Sequence, residues 1–433
     1  MKRALFLVIL ALIMGTHAWA AGPYGVPFPE GDGLITEDGV FVLEPGVTGD
    51  ILTIEPGLVY LAGEKGDYAI IDRNGKNISE LRVSMARYAD GVILFRWNGA
   101  YGAMDLEGNV IVAPGWSQLV SNGVGGFLAL DDYPMDDVPD EVIYISPEGE
   151  VIRTGNETVG VLPDVSEDRM PYMTMDGRYG YLDGAGARIT EPEWLYAGGF
   201  SHGTAVVSDE NGMGVVDKNG MTLLECGYVS IEKNDSLIAA LSSDGVLEVW
   251  SADMRRQHCA IDAKGMSMSV VGGYVALFGT DRAELYARDG SCLYTGSGKT
   301  TFFEGLNRQL IVSDGAWGEA CTWIMDPDGS AASGMYQRIL PLSGNRYAFQ
   351  TMSGAIYHSQ ALDALQRSWN YDSIRYGMID GDGHEILPAE YEDILAVEDD
   401  RFFLTGEAGS YLCDESGNII QSWLLPGEDG TNS

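Results

Sequence analysis

The chain has 433 residues, with 26 Lys and Arg against 64 Asp and Glu, for a formal net charge of −38. So acidic a surface repels nucleic-acid phosphates and anionic lipid headgroups, which argues against both as partners. With 45% hydrophobic and 10% aromatic residues the chain is too apolar for a disordered acidic tail, and its length suits several domains or one repeat array.

The N-terminus opens with Lys2 and Arg3, an apolar run from Ala4 to Met14, and the small-x-small triplet Ala18-Trp19-Ala20. This pattern predicts a secretory signal peptide over residues 1–20, cleaved after Ala20. A buried first strand is the competing reading, which the Lys-Arg flank and the following Gly22-Pro23 disfavour. Cleavage leaves 413 residues and, with Lys2 and Arg3 gone, a charge of −40. No later stretch reaches the ~20 apolar residues of a membrane helix, and the tail from Gly427 to Ser433 is polar. The expectation is an exported monomer, extracellular or held in the cell envelope, with no transmembrane anchor.

A repeat follows. Aligned on short apolar-Asp-x-x-Gly segments, one column falls at Thr36, Asp72, Asp105, Ser146, Asp183, Asp217, Ser251, Ala287, Asp326, Asp380 and Asp414. The first and last stand 378 residues apart over ten steps, a mean near 38. Three positions on come Gly39, Gly75, Gly108, Gly149, Gly186, Gly220, Gly290, Gly329, Gly383 and Gly417, with Met254 alone breaking the column. Six positions on, Ile78, Ile111, Ile152, Ile189, Ile386 and Ile420 recur, with Leu223 and Leu293 as variants.

Short β-rich runs such as Tyr179-Gly180-Tyr181-Leu182 flank each polar turn, whose Gly can adopt positive φ, so each unit predicts a hairpin. Three or four strands of ~5 residues fill such a unit. The fold class expected is all-β: tandem hairpin or meander repeats stacked as a propeller-like or open solenoid array. Eleven units exceed the four to eight blades of an ordinary propeller, which predicts two rings or an open array. The divisions expected are a β-repeat array over 21–330, an irregular insertion or degraded repeat over 331–370 with a short helix at Ala361–Arg367, further repeats over 371–426, and a tail over 427–433.

Tyr179-Gly180-Tyr181-Leu182-Asp183, Gly186, Ile189, Pro192, Trp194, Phe200-Ser201-His202-Gly203 and Ala205-Val206-Val207 resemble one full unit of the bacterial WG repeat. Gly214 to Gly220 opens another unit, and Tyr376-Gly377-Met378-Ile379-Asp380, Gly383, Ile386, Pro388, Tyr391 and Ile394 match again. Tyr mostly replaces the Trp of the family's Trp-Gly pair, and Trp317-Gly318 lies out of register. The resemblance implies a β-rich repeat protein, often exported, with no common activity and no catalytic residues to carry over.

Motifs that invite chemistry each fail a requirement. Gly296-Ser297-Gly298-Lys299-Thr300 looks like the end of a P-loop, but the required earlier Gly is Leu293. Gly199-Phe200-Ser201-His202-Gly203 fits a nucleophile elbow, yet Thr204 to Val207 beyond it reads as strand rather than helix. The turns Asp326-Pro327-Asp328-Gly329 and Asp380-Gly381-Asp382-Gly383 hint at calcium, but their Gly comes fourth where an EF-hand needs it sixth. Asp131, Asp132, Asp136 and Asp137, in an acidic loop, are the better metal candidates, against a reading as a solvated face. His202, His258, His358 and His384 show no zinc spacing. The odd set of Cys226, Cys259, Cys292, Cys321 and Cys413 reads as small buried side chains, with a Cys226–Cys259 bridge conceivable. The function expected is a non-enzymatic binding or scaffold module for an extracellular protein or glycan. An extracellular glycosidase-type hydrolase using carboxylates in a central groove and a structural surface spacer are the alternatives.

Overall fold

The computed structural model describes residues 23–28, 31–131, 139–315, 321–352, 374–398 and 400–424. The signal peptide, Trp317-Gly318, the helix expected at Ala361–Arg367 and the tail from residue 427 lie outside them.

Each repeat is one antiparallel sheet hinged on its column turn. In the unit of Asp72, here unit 2 of eleven counted from Thr36, the strands are Asp50–Glu55, Val59–Glu64, Asp67–Asp72 and Asn77–Val83, hydrogen-bonded in that order. The column residue accepts the N–H of the Gly three residues on, as Asp72 O does from Gly75 at 3.0 Å. Its carboxylate Oδ1 accepts the Asn74 and Lys76 N–H groups at 2.8 and 2.9 Å. That geometry is a type I turn closed by a left-handed residue. All ten column glycines have φ between +73° and +90°, and Met254 in the same place has φ +59°. The conformation therefore belongs to the position, and Gly is the residue that adopts it without strain.

Strand alternation buries both faces of every sheet. Val59, Leu61 and Ile70 point one way and pack with Ile93, Phe95 and Met104 of unit 3. Tyr60, Ala62 and Ile71 point the other way, against Leu34 of unit 1. Each such large apolar side chain, removed from water, contributes about 1.5–3 kcal/mol. Similar clusters join each successive pair of units, from the pairing of Leu94 with Leu119 to that of Met378 with Phe402.

The succession returns to its start. Val397, Phe403 and Leu412 of unit 11 pack with Tyr24, Val26 and Ile35 of unit 1, and the Phe28 ring lies 5.3 Å from those of Phe403 and Trp423. The column turns repeat the same contact around the cycle. A Cβ on Gly108 would meet Ile78 O of the preceding unit at 2.0 Å, and one on Gly39 would meet Gln421 Cβ of unit 11 at 2.9 Å. The expected two rings or open array give way to one propeller-like cycle of eleven units. The physical reason is that the terminal sheets are apolar on both faces like the rest, and an open array would leave Phe28 and Phe403 in water.

Two sheets depart from the regular pattern. Strands Arg338–Pro341 and Arg346–Met352, within the stretch expected to be an insertion or degraded repeat, form a single sheet with Ile374–Asp380 and Glu385–Tyr391, the sheet of unit 10. Units 6 and 7 share one seven-stranded sheet through the twelve-residue strand Thr222–Lys233.

First strands of neighbouring sheets, such as Asp50–Glu55 and Met85–Ala89, lie side by side, while last strands such as Ile419–Leu424 are exposed. First strands are thus innermost and last strands form the rim. Because the strands are antiparallel, the column turns and the first-to-second connections share one face, the turn face. The second-to-third hairpins share the other, the hairpin face, with the links to the next unit. Those links shrink to the single residues Ser84, Ser117 and Glu392 at three boundaries.

Candidate functional site

On the turn face, polar groups are used for construction. Asp105, Asp183, Asp217, Asp380 and Asp414 each hold two backbone N–H groups through one carboxylate oxygen, as Asp72 does. The Asn109 side-chain amide, aided by the backbone N–H groups, holds the Asp105 carboxyl below the usual range. Asp380, Asp382 and His384 bring one ligand atom each to within 4.8 Å of one another. His384 Nδ1 sits 3.1 Å from Asp380 Oδ2, while Asp380 Oδ1 is already engaged by the turn. This is the same turn as its neighbours with a histidine added.

The hairpin face is less uniform. Second-to-third connections are as short as the two residues between Glu64 and Asp67, whereas the strands ending at Leu130, Asp314 and Met352 reach their partners only at Asp140, Cys321 and Ile374. Of the acidic metal candidates, Asp131 is exposed and pairs with Arg153 Nη2 at 3.4 Å, and Arg153 Nη1 also meets Glu141 at 2.5 Å. Asp132, Asp136 and Asp137 lie outside the described residues. Arg178 pairs with Glu210 of the next unit, and Arg375 with Glu407 in the same relation further round. The sequence reading missed this recurring pair, although each Arg stands five residues before its column Asp and each Glu seven before the next.

The enzymatic motifs become turns. Gly296 to Thr300 links the strands Cys292–Ser297 and Thr301–Glu304, and the Ser297 and Thr300 hydroxyls both donate to Asp314 Oδ1, at 2.5 and 3.1 Å. No helix follows to present N–H groups to a phosphate. Ser201-His202-Gly203 connects Tyr196–Ala197 to Thr204–Asp209, strand to strand. Lys233 Nζ donates to Ser201 O, Thr204 O and Thr204 Oγ1 at 3.0, 2.7 and 3.0 Å, and Glu167 accepts the Gly203 N–H. Burial pushes the Lys233 ammonium down to about 8, against the opposing pull of Glu167 and Asp235.

Buried phenols are also structural. Burial raises Tyr181, whose hydroxyl donates to Gly198 O at 2.7 Å, and pushes Tyr347 up to about 12, its hydroxyl donating to Leu306 O at 3.3 Å. Among the described residues Asp393 is the carboxyl whose pKa is raised. Its surface is open to solvent, yet protein hems it in at the start of an innermost strand, and the crowding sets the direction. Its Oδ1 accepts the Ile394 N–H at 2.9 Å. The five cysteines are free. Only Cys413 is buried, Cys226 and Cys259 are half-buried, and Cys292 and Cys321 are exposed, so the expectation of buried side chains holds for one of them.

The class defined by these features is an all-β, propeller-like repeat protein. Residues 376–403 match the family described as WG containing repeat, so the chain carries a WG repeat spanning units 10 and 11. No curated protein matches the chain. Among solved structures it is similar to a eukaryotic initiation factor at 8% identity and a TM-score of 0.44, covering 85% of this chain and 96% of that one. BamB from Moraxella catarrhalis is similar at 13% identity and 0.30, with coverages of 69% and 90%. Hsv2p from Kluyveromyces lactis is similar at 11% identity and 0.30, with coverages of 48% and 74%. All are distant, and the fold assignment rests on the strands themselves. No helix among the described residues is long and apolar enough to cross a membrane.

Proposed function

We propose that the protein is exported and acts as a non-enzymatic binding or scaffold module for an extracellular protein or glycan, using its hairpin face. The observation that carries this reading is the division of labour between the faces. The turn face repeats one hydrogen-bonded device from unit to unit, while the hairpin face carries connections of unlike length and exposed charge. Repeat proteins recognise partners with such unlike loops on a uniform framework. At this net charge the partner is neutral, basic or bridged by calcium, and attraction to a basic partner weakens with salt.

The test is a pull-down and glycan-array screen with the mature protein. Glu64→Lys combined with Asp281→Lys on the hairpin face should abolish capture of any ligand found, and Glu37→Lys combined with Asp38→Lys on the turn face should leave it intact. The reverse pattern would overturn the assignment of faces. Export is checked by the mass of the protein recovered from the host envelope or medium, expected to begin at Ala21. The hydrolase alternative is tested with glycoside, ester and peptide substrates, where turnover abolished by Asp393→Asn would replace the binding reading.

A further inference from the structure

In five units a side chain at the start of the second strand, or in the connection before it, reaches across to the next unit's column turn. Asn122, Thr204 and Gln309 donate to Gly184 O, Ala252 O and Gly381 O at 3.0, 3.0 and 2.9 Å, each time to the carbonyl one residue past the column. Arg169 and Arg346 do the same through Nε, to Lys218 O at 2.7 Å and Glu415 O at 2.9 Å. Their Nη1 atoms donate to the carbonyl of the preceding residue, Asp168 O at 2.6 Å and Asn345 O at 3.2 Å.

Arg401 holds the same position in unit 11, and its Nη1 likewise donates to Asp400 O at 3.0 Å. Its next unit is unit 1, where the carbonyl in register belongs to Glu37. Here the Nε is buried and has no hydrogen-bond partner. The boundary is made of rings instead: Phe28, Phe41, Phe403 and Trp423, with centroids 5.3 to 6.0 Å apart in five pairs. It also lacks what every other boundary has, a peptide running directly from one sheet into the next.

We propose that the cycle opens at this boundary, unit 1 swinging away from unit 11 as an intact sheet while the other ten boundaries stay shut. The closing boundary is a seam of packed rings, without the polar cross-bond made at five of the other ten boundaries and with an orphaned donor that favours separation. Opening bares the aromatic faces without melting either sheet, a sub-global motion drawn from the weakest cooperative joint.

Native-state thiol trapping reads this directly in the full mature chain carrying Cys292→Ser and Cys321→Ser. Leu412→Cys probes the seam, and Ile379→Cys, equally buried between units 9 and 10 where Gln309 makes the cross-bond, is the control. Leu412→Cys should react at least roughly tenfold faster, a gap of about 1.4 kcal/mol in opening free energy. Amides of Gly31–Ile35 should stay protected on the same timescale. Equal trapping rates would overturn the proposal, and so would amide exchange in Gly31–Ile35 as fast as trapping, which would mean that unit 1 unfolds. Arg401→Met should leave seam trapping unchanged or slower, whereas Arg346→Met should speed trapping of Met378→Cys at the boundary of units 10 and 11. If Arg401→Met accelerates the seam as Arg346→Met accelerates its own boundary, the orphaned donor is not what weakens it.

Discussion

Replacing Gly108 by Ala separates the two demands that a column turn makes of its glycine. Gly108 has φ +86°, and its added Cβ would stand 2.0 Å from Ile78 O and 2.9 Å from Ile78 C in unit 2. Gly66, in a hairpin of unit 2, has φ +87° and nothing within 4 Å of the same Cβ. Left-handed backbone costs an L-residue about 1–2 kcal/mol, and both Ala variants carry that cost. Only Gly108→Ala must also push a neighbouring sheet's backbone away by more than an ångström, an overpacking cost of about 1–3 kcal/mol. The totals are then about 1–2 kcal/mol for Gly66→Ala and about 2–5 kcal/mol for Gly108→Ala. Urea melts followed by circular dichroism, compared at equal m, report the difference as a gap in midpoints. Hydrogen exchange should place the damage in Asn77–Val83, the strand that carries Ile78. Coincident melts would refute the reasoning, because stacking of the turn on the preceding unit would then contribute nothing.

Asp105→Asn keeps an acceptor for the turn but no charge, and should remove an acid sensitivity. The native carboxyl is held low, first by the Asn109 amide, so its stabilisation is present above the ordinary Asp pKa of about 3.9 and is lost as pH falls through the lower native value. Urea midpoints of the parent should therefore fall towards those of Asp105→Asn as the pH drops from about 5 to 3. Lys233 runs the other way: its native pKa of about 8 lies below the unfolded value of about 10.4, so the unfolded state binds more protons between them. Stability should rise with pH across that window in the parent and stay flatter in Lys233→Met, as measured by melts at pH 7.5 and 9.5. Cys292 and Cys321 should alkylate rapidly in the native protein and Cys413 only on unfolding, since it is buried and its thiol is pushed up to about 12. Mass spectrometry after timed alkylation counts them.

The units were legible because their signal is local. A Gly at positive φ recurs at ten of the eleven turns, six of them with an Asp that accepts two N–H groups, and even Met254 occupies the left-handed place its column predicts. The closing of the cycle was not legible. Phe28 and Phe403 meet across most of the chain's length, and nothing near either residue in sequence names the other. Unit 10 was obscured for a related reason: its second and third strands, Arg346–Met352 and Ile374–Asp380, pair across more than twenty intervening residues, which breaks the spacing on which the register depended. The inter-unit pair of Arg178 with Glu210 was written in the repeat at fixed offsets, but Arg375 with Glu407 is its one recurrence in the described residues, too sparse to stand out in an acidic chain.

The single-residue links at Ser84, Ser117 and Glu392 limit how the body can deform. They all lie on the hairpin face and tie the rim of one sheet to the innermost strand of the next, so neighbouring sheets are tethered there at fixed separation. The turn face has no such tether, and its sheets meet only through side-chain contacts and cross-bonds. At these three boundaries bending is therefore one-sided, the turn face spreading while the hairpin face holds its spacing. Hairpin-face residues beside Ser84, Ser117 and Glu392 keep their mutual spacing through that bending, as the knuckles of a hinge do when its leaves part.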